Sequence, residues 1–234
     1  MGISYSKDKD KDLTGATSCW GIIINTMLLS DEKVHAIERV TGLFSSVPFV
    51  GLAILSGSCA SGRARDDSDI DIIIGAKGGR VWTARFFTLL FADVAGVRHK
   101  EGEAKDKLCL SLFVSPGEYR MNAPENDYER ELYPLLKPIF GDDDSVRGFF
   151  EENRGIVSDS FMDGGILPVH YEKNRFAKMV EGLLKGSFGD GLETFVRGLQ
   201  TRKIKRYMKK SISPGVKNRV ILSALRIETH FRVD

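Results

Sequence analysis

The amino-acid sequence predicts an α/β (α+β) protein, with a mixed sheet and flanking helices followed by a mostly helical C-terminal half. Before residue 116, short apolar runs of strand length alternate with longer segments of helical periodicity. After Gly117, segments with helical periodicity follow one another, and glycine-rich joints separate the later ones. The expected organisation is a flexible N-terminus (residues 1–15), an α/β core (16–116) and a mainly helical region (117–234).

The first half contains the elements that build the predicted sheet. A helix is expected from Ser30 to Phe44, because acids occupy its first turn and apolar residues recur every three or four positions. Pro48 follows this helix, and the apolar run 49–55 is predicted to be a buried strand. The next core elements are predicted as a strand at 69–73, a helix at 81–94 and a strand at 107–114.

The second half is predicted to be mainly helical. The apolar periodicity of its segments favours helices over strands. These helices are predicted at 127–136, 145–153, 172–184 and 192–210. The three acids 142–144 precede the second of these segments, and we interpret them as loop and helix-start charges. The last segment, 219–233, admits a strand such as 220–222.

The composition does not indicate a nucleic-acid-binding, disulfide-rich or membrane protein. The formal net charge is only +2, so overall electrostatics favour neither nucleic acid nor an acidic membrane. The three cysteines are widely spaced and lie in no CxxC pair or Cys/His cluster, which argues against a disulfide framework or a zinc site. The apolar run 20–29 is too short to span a bilayer. We therefore expect a soluble, cytoplasmic protein.

Two aspartates on the second predicted strand are candidate metal ligands. Side chains alternate along a strand, so Asp69 and Asp71 point to one face while Ile70 points to the core. Two adjacent, partly buried carboxylates are unfavourable unless a cation compensates their charge. Hard oxygen ligands at this spacing suit Mg²⁺ or Mn²⁺. An isolated pair of this kind is also found as two solvated acids at a strand end.

The segment just before the second strand favours the metal-site interpretation. Gly57 and Ser58 follow the first buried strand, and small residues there allow backbone N–H groups to approach a phosphate closely. A short helix opening at Ser58 would add a favourable dipole. A phosphate site and a metal site on adjacent elements are what phosphoryl or nucleotidyl transfer requires.

This run resembles the signature of the nucleotidyltransferase superfamily. The similarity is closest to small prokaryotic members, whose loop reads Gly-Ser-x-Ala-x-Gly and is followed by Asp-Ser-Asp-Ile-Asp. The matching residues in this sequence are Gly57, Ser58, Ala60, Gly62, Asp67, Ser68, Asp69, Ile70 and Asp71. Glycosyltransferases and phosphatases with an Asp-x-Asp motif do not account for the upstream Gly-Ser.

The resemblance covers roughly residues 50–116 and implies a mixed-sheet fold with a defined chemistry. It implies that Gly57 and Ser58 bind the triphosphate of an NTP such as ATP. Arg65 and Ser68 are further candidate nucleotide-binding residues: Arg65, like Arg63, would neutralise developing negative charge, and the alternative for both is an exposed loop arginine. The resemblance also implies that Asp69 and Asp71 are the catalytic metal ligands. An unidentified acceptor (a small molecule, a protein or RNA) would receive the NMP group while pyrophosphate leaves.

The chain departs from the superfamily pattern at the third carboxylate. Active members usually carry this acid on a later strand, but the site-facing positions of 107–114 hold Cys109 and Ser111. Strict alternation would place Phe113 on the same face, opposite Leu108, Leu110 and Leu112. Asp106, just before the strand, is the candidate replacement. The alternative is that Asp106 is only a charged residue that caps the strand.

A catalytically degenerate nucleotide-binding or protein-interaction module, such as an antitoxin-like regulatory partner, therefore remains the alternative. Cys59 and Ser61 stand where many antitoxin-type relatives have arginine, which weakens that particular match.

A basic segment near the C-terminus raises the question of RNA binding. Residues 202–210 contain six cationic side chains in nine positions, which suits contact with phosphates. Such a run is more often the solvated face of a helix near its C-terminus. We favour the solvated helix, because the net charge of the chain is close to zero.

Overall fold

The structure, a computed structural model, describes residues 29–99, 105–124, 126–158, 172–211 and 219–230. The predicted flexible N-terminus (1–15) lies outside the described residues. Among the described residues, no helix combines the length and the apolar character that crossing a membrane requires.

Strands and helices alternate through the first half and are joined by further strands in the second. The helices are α1 Asp31–Phe44, α2 Gly57–Ala60, α3 Val81–Val94, α4 Asp127–Leu132, α5 Asp143–Glu152, α6 Arg175–Leu183 and α7 Ser187–Ser211. The strands are β1 Val50–Leu55, β2 Ile70–Ala76, β3 Leu108–Val114, β4 Lys137–Gly141, β5 Arg219–Leu222 and β6 Arg226–His230. A 3₁₀ turn, Tyr133–Leu135, joins α4 to β4.

The six strands form one mixed sheet in the order β4-β1-β2-β3-β6-β5. Only β2 and β3 run parallel, and the other neighbouring pairs are antiparallel. The helix α3 connects the parallel pair, as a crossover between parallel strands requires. The predicted mixed α/β architecture with flanking helices is confirmed.

Both faces of the sheet are covered, which explains why its central strands are so apolar. All six residues of β1 are buried. Ile72 and Ile74 of β2 join a core cluster that includes α1 and α3, whereas Ile73 joins a second cluster that includes α5. The consecutive isoleucines therefore serve two cores, because successive side chains of a strand point to opposite faces.

The second half contributes more strand than the sequence pattern predicts. The helix expected at 127–136 ends as an α-helix at Leu132, since Pro134 lies in the following 3₁₀ turn and cannot continue the ladder. The strand β4 then pairs with β1 at the edge of the sheet, where Pro138, which has no backbone N–H to donate, is tolerated opposite Ile54. Asp142 caps α5 by accepting a hydrogen bond from the Ser145 N–H (3.0 Å), which confirms the helix-start interpretation of these acids.

The helix α3 begins without a cap from its own segment. Arg80 at the N-cap position makes no side-chain capping hydrogen bond. Glu193 of α7 supplies the acceptors instead: its carboxylate accepts from the backbone N–H groups of Trp82 and Thr83 (both 2.8 Å) and from the Thr83 hydroxyl (2.6 Å). A carboxylate at a helix N-terminus also interacts favourably with the helix dipole. This contact therefore joins α7 to the core.

Candidate active site

The two aspartates of the motif lie on one face at the start of β2. Ile70 is fully buried between them, while Asp69 and Asp71 are half-buried. The Ile70 N–H donates to the Lys107 carbonyl (2.8 Å), so the strand is already paired where the acids begin. The alternation predicted from the sequence is confirmed for these three residues.

The parallel strand β3 adds a thiol to this pair of acids. Asp71 is in register with Cys109, which places their side chains on the same side of the sheet. One oxygen of Asp69, one oxygen of Asp71 and the Cys109 sulfur all lie within 4.8 Å of one another. Among the described residues, this is the group of three that has the spacing of metal ligands. We refer to it as the Asp69–Asp71–Cys109 cluster.

A bulge in β3 separates this cluster from the rest of the strand. Asp71 pairs with Cys109 but Ile73 pairs with Leu112, so Leu110 and Ser111 of β3 lie opposite a single residue of β2. Phe113 consequently packs in the core cluster of α1 and α3, and Leu112 packs against the opposite one. The predicted strict alternation of 107–114 therefore agrees with the structure as far as Ser111 and is wrong for Leu112 and Phe113.

The environment of Cys109 disfavours a bare thiolate. Burial raises the pKa of the Cys109 thiol far above its ordinary value, and the charges of Asp71 and Asp69 raise it further. The second described cysteine, Cys59, lies in the core, and its thiol donates to the Asp69 carbonyl (3.4 Å). Burial raises the pKa of that thiol to about 11. Without a cation, both thiols are therefore protonated at neutral pH.

Gly57 lies directly against the second aspartate. Its backbone is left-handed (φ 64°), and a β-carbon at this position would overlap the Asp71 carboxylate. The neighbouring Ser56 N–H donates to the Asp71 carbonyl (2.9 Å). The structure thus brings the glycine of the motif together with Asp71. Ser58 is the second residue of α2, which begins one residue earlier than expected.

The other residues assigned to the nucleotide are engaged within the loop. The exposed Arg65 guanidinium pairs with Asp67 (3.2 Å). The Ser68 hydroxyl accepts from the Arg65 backbone N–H (2.9 Å) and so closes a turn. Arg63 is also exposed and pairs with Glu131 (2.8 Å). These contacts shape the loop but do not direct either arginine to the cluster.

Asp106 has a structural partner that the sequence does not reveal. The Lys33 ammonium, almost completely buried on α1, contacts its carboxylate (2.5 Å) and also donates to the Ser68 carbonyl (2.7 Å). Asp106 itself donates its backbone N–H to the Ser68 carbonyl (3.2 Å). The carboxylate is thus engaged by Lys33 and is not part of the cluster, where Cys109 takes the third place.

We expect Lys33→Met to destabilise the protein by about 2 kcal/mol, because it leaves Asp106 partly buried without its cation. Urea denaturation measures the change. Asp106→Asn added to that variant should recover part of the loss, since no unpaired charge then remains. Arg130→Met, which removes an exposed ion pair with Asp127, is the matched control and should cost less than about 1 kcal/mol. Equal losses in the two single variants would contradict this account.

A cavity of about 540 Å³ adjoins the cluster, a size typical of sites for small ligands. Gly57 and Asp71 belong to its wall. The remaining polar lining comes from the residue between β1 and α2, from β3 and β6, and from the segment around α4, namely Ser56, Ser111, Asn122, Asn126, Tyr128, Glu129, Tyr133, Arg226 and Glu228. Sequence reasoning missed most of these residues, because they are separated from the motif by many positions and carry no motif of their own.

Two features of this wall show how its electrostatics are organised. Arg226 and Glu228 are both buried and form an ion pair (2.7 Å), while Arg226 also donates to the Arg120 carbonyl (2.7 Å). Burial, together with the charges of Asp71 and Asp69, raises the pKa of the Tyr128 hydroxyl. Tyr128 thus lies within electrostatic reach of the cluster.

The basic segment 202–210 occupies the C-terminal part of α7. Ile204 is buried, whereas Arg202, Lys203, Lys205 and Arg206 are exposed. The cations therefore lie on the solvated side of a helix that is anchored by Ile204. RNA binding by this face stays a prediction that we do not favour.

Comparisons with known proteins add one weak similarity. No protein-family match was found for the chain, and no match was found among curated proteins. A solved structure described as a putative nucleotidyltransferase from Sulfolobus solfataricus is similar over 38% of this chain and 78% of its own, at 20% identity and a TM-score of 0.24. A TM-score this low carries no argument about function.

Proposed function

We propose that the chain is a nucleotidyltransferase that moves an NMP group from an NTP to an acceptor and releases pyrophosphate. The observation that carries the proposal is the contact of Gly57 with Asp71, next to Asp69 and beside a cavity of ligand size. The glycine and the acids are the two halves of the motif, and the fold brings them together. We also propose a cytoplasmic location, because the three cysteines of the sequence are widely spaced and form no pattern typical of disulfides.

The residues of the site have distinct roles in this reaction. Asp69 and Asp71 hold a divalent cation, expected from their oxygen ligands to be Mg²⁺ or Mn²⁺. When bound, the cation stabilises the negative charge that develops on the phosphates. Gly57 and Ser58 accommodate the triphosphate, because small residues at this point let backbone N–H groups approach a phosphate closely. Arg65 and Ser68 shape the loop that follows, and through it contribute to nucleotide binding.

The bond changes are those of an in-line displacement. The acceptor oxygen forms a bond to the α-phosphorus and loses its proton to water, while the bond from the α-phosphorus to its bridging oxygen breaks. The electron pair leaves with pyrophosphate. A small acceptor, or the end of a larger one, enters through the cavity, since Asp71 is part of its wall.

The test is transfer of label from each α-labelled NTP in the presence of Mg²⁺, Mn²⁺ or Zn²⁺, with cell extract as the source of acceptor. We expect Asp69→Asn and Asp71→Asn each to lower transfer by roughly a hundredfold or more, because the cation loses a charged ligand. Asp66→Asn is the matched control. This acid is exposed in the same loop, and its substitution should leave transfer unchanged.

The second candidate is a module that binds nucleotide without turnover. It is favoured by Cys109 in the third position and by the engagement of Asp106 with Lys33. NTP binding measured by calorimetry, without label transfer under any of the three cations, would support this alternative. Binding that survives both aspartate substitutions would overturn the metal-centred mechanism.

A further inference from the structure

The Asp69–Asp71–Cys109 cluster has a sulfur atom where an all-oxygen site would have a third carboxylate. Mg²⁺ prefers oxygen ligands in octahedral geometry and does not favour thiolate. Thiolate ligands instead select thiophilic cations such as Zn²⁺, which also accepts carboxylate oxygens. The two aspartate oxygens of the cluster therefore suit Mg²⁺, whereas the sulfur of Cys109 does not.

We propose that this cluster binds a thiophilic divalent cation of the zinc class in preference to Mg²⁺. One oxygen of each aspartate and the Cys109 sulfur are the ligands. On binding, the Cys109 S–H bond breaks, a sulfur–metal bond forms and the proton passes to the buffer. The inference refines the metal site of the proposed function, although binding of the cation does not itself require nucleotidyl transfer.

The distances and the surroundings of the three groups suit such a site. Two ligands that each lie about 2.0–2.3 Å from one ion are separated by less than about 4.6 Å. The three ligand atoms of the cluster all lie within 4.8 Å of one another, a comparable bound. Catalytic zinc sites typically have three protein ligands and a fourth position that is open to water or substrate. Asp71 lines the cavity, so the open position has a side from which a ligand can enter.

Cys109 enters the site only because the strands pair in parallel. Asp71 and Cys109 are 38 positions apart and belong to no Cys/His motif, so their register alone makes them neighbours. Cys59 is excluded as a ligand, because it is fully buried and its sulfur contacts the Asp69 carbonyl. The two cysteines therefore form a matched pair for an experiment.

Titration of the full chain with Co²⁺ tests the inference, because cobalt–thiolate bonds absorb strongly in the near ultraviolet. We expect this absorption in the natural protein and in Cys59→Ser, and its loss in Cys109→Ser. Zn²⁺ should abolish the signal at stoichiometric concentration, whereas a roughly hundredfold excess of Mg²⁺ should not. Circular dichroism of each variant establishes that it is folded.

A second variant keeps the test decisive. Cys109→Asp should lose the cobalt–thiolate absorption and bind Mg²⁺ roughly tenfold more tightly than the natural protein, as an all-oxygen site does. Co²⁺ binding without the thiolate absorption in the natural protein would overturn the inference, as would displacement of Co²⁺ by Mg²⁺ at a similar concentration.

The outcomes separate the inference from the proposed function. Label transfer with Mg²⁺ and no cobalt–thiolate absorption would leave the nucleotidyltransferase standing and reject the thiolate ligand. Cobalt–thiolate absorption without transfer under any cation would support the thiolate ligand and reject the enzyme.

Discussion

Replacing Gly57 with alanine should lower the free energy of unfolding by about 3 kcal/mol and abolish the proposed nucleotidyl transfer. Two effects add at this position. The backbone is left-handed, a conformation that a residue with a β-carbon adopts only with strain. The new methyl group would also overlap the Asp71 carboxylate, so the acid or the start of α2 has to move. The displaced acid is a proposed metal ligand, so the substitution should weaken metal binding as well as lower the stability of the fold.

Gly78→Ala is the matched control for this substitution. Gly78 has a similar backbone angle (φ 61°), but no atom lies within 4 Å of the β-carbon that alanine would add. It should therefore show only the cost of strain, about 1 kcal/mol, with unchanged metal binding. Urea denaturation and Co²⁺ titration measure the two quantities. Similar losses in both variants would mean that the contact with Asp71 has no specific effect.

The second large effect is expected for Glu193→Ala, which should cost about 3 kcal/mol. The substitution removes the acceptor of three hydrogen bonds and leaves the Trp82 and Thr83 N–H groups at the start of α3 without their partner. Because Glu193 lies on α7, the attachment of that helix should weaken as well. Hydrogen exchange should then speed up in α3 and α7 more than in β1.

Glu193→Gln distinguishes the cap from side-chain packing. The amide keeps one oxygen acceptor and nearly the same shape, so an intermediate loss is expected. If Glu193→Ala costs no more than a typical surface substitution, about 0.5 kcal/mol, the cap does not stabilise α3.

The parts of the fold that follow from local pattern were predictable. The helix expected at 81–94 coincides with α3, and the runs 49–55 and 107–114 match β1 and β3 within one residue. These segments are apolar enough, or periodic enough, for their neighbours in sequence to decide their structure. The strand β4 was missed because Pro138 argues against a strand until the chain is known to place it at an edge.

The strand β6 shows a different limit. Its sequence, Arg226 to His230, is polar except for Ile227, and that pattern alone does not indicate a buried sheet position. Arg226 and Glu228 are buried only because they pair with each other beside the cavity. A pair of this kind depends on the tertiary structure and has no local signal in the sequence.

The motif residues of the candidate site were predictable from the sequence, but the partners that surround them were not. Gly57 follows β1, and Asp69 and Asp71 lie at the start of β2, so the pairing of these two strands brings the residues of the motif near one another. The prediction that Cys109 faces the site agrees with its place in the cluster. The engagement of Asp106 by Lys33 could not be anticipated, because α1 reaches this loop only in the folded chain.

The pairing of β6 with β3 has a consequence for the order in which the protein is made. Val114 of β3 pairs with Arg226, more than a hundred residues later in the chain. During synthesis, that edge of β3 stays without its neighbour until the ribosome has added β6, and contacts so distant in sequence form slowly. An unpaired edge is a template for association with other chains. The strand that carries Cys109 is therefore a point at which the nascent chain is exposed to misassembly.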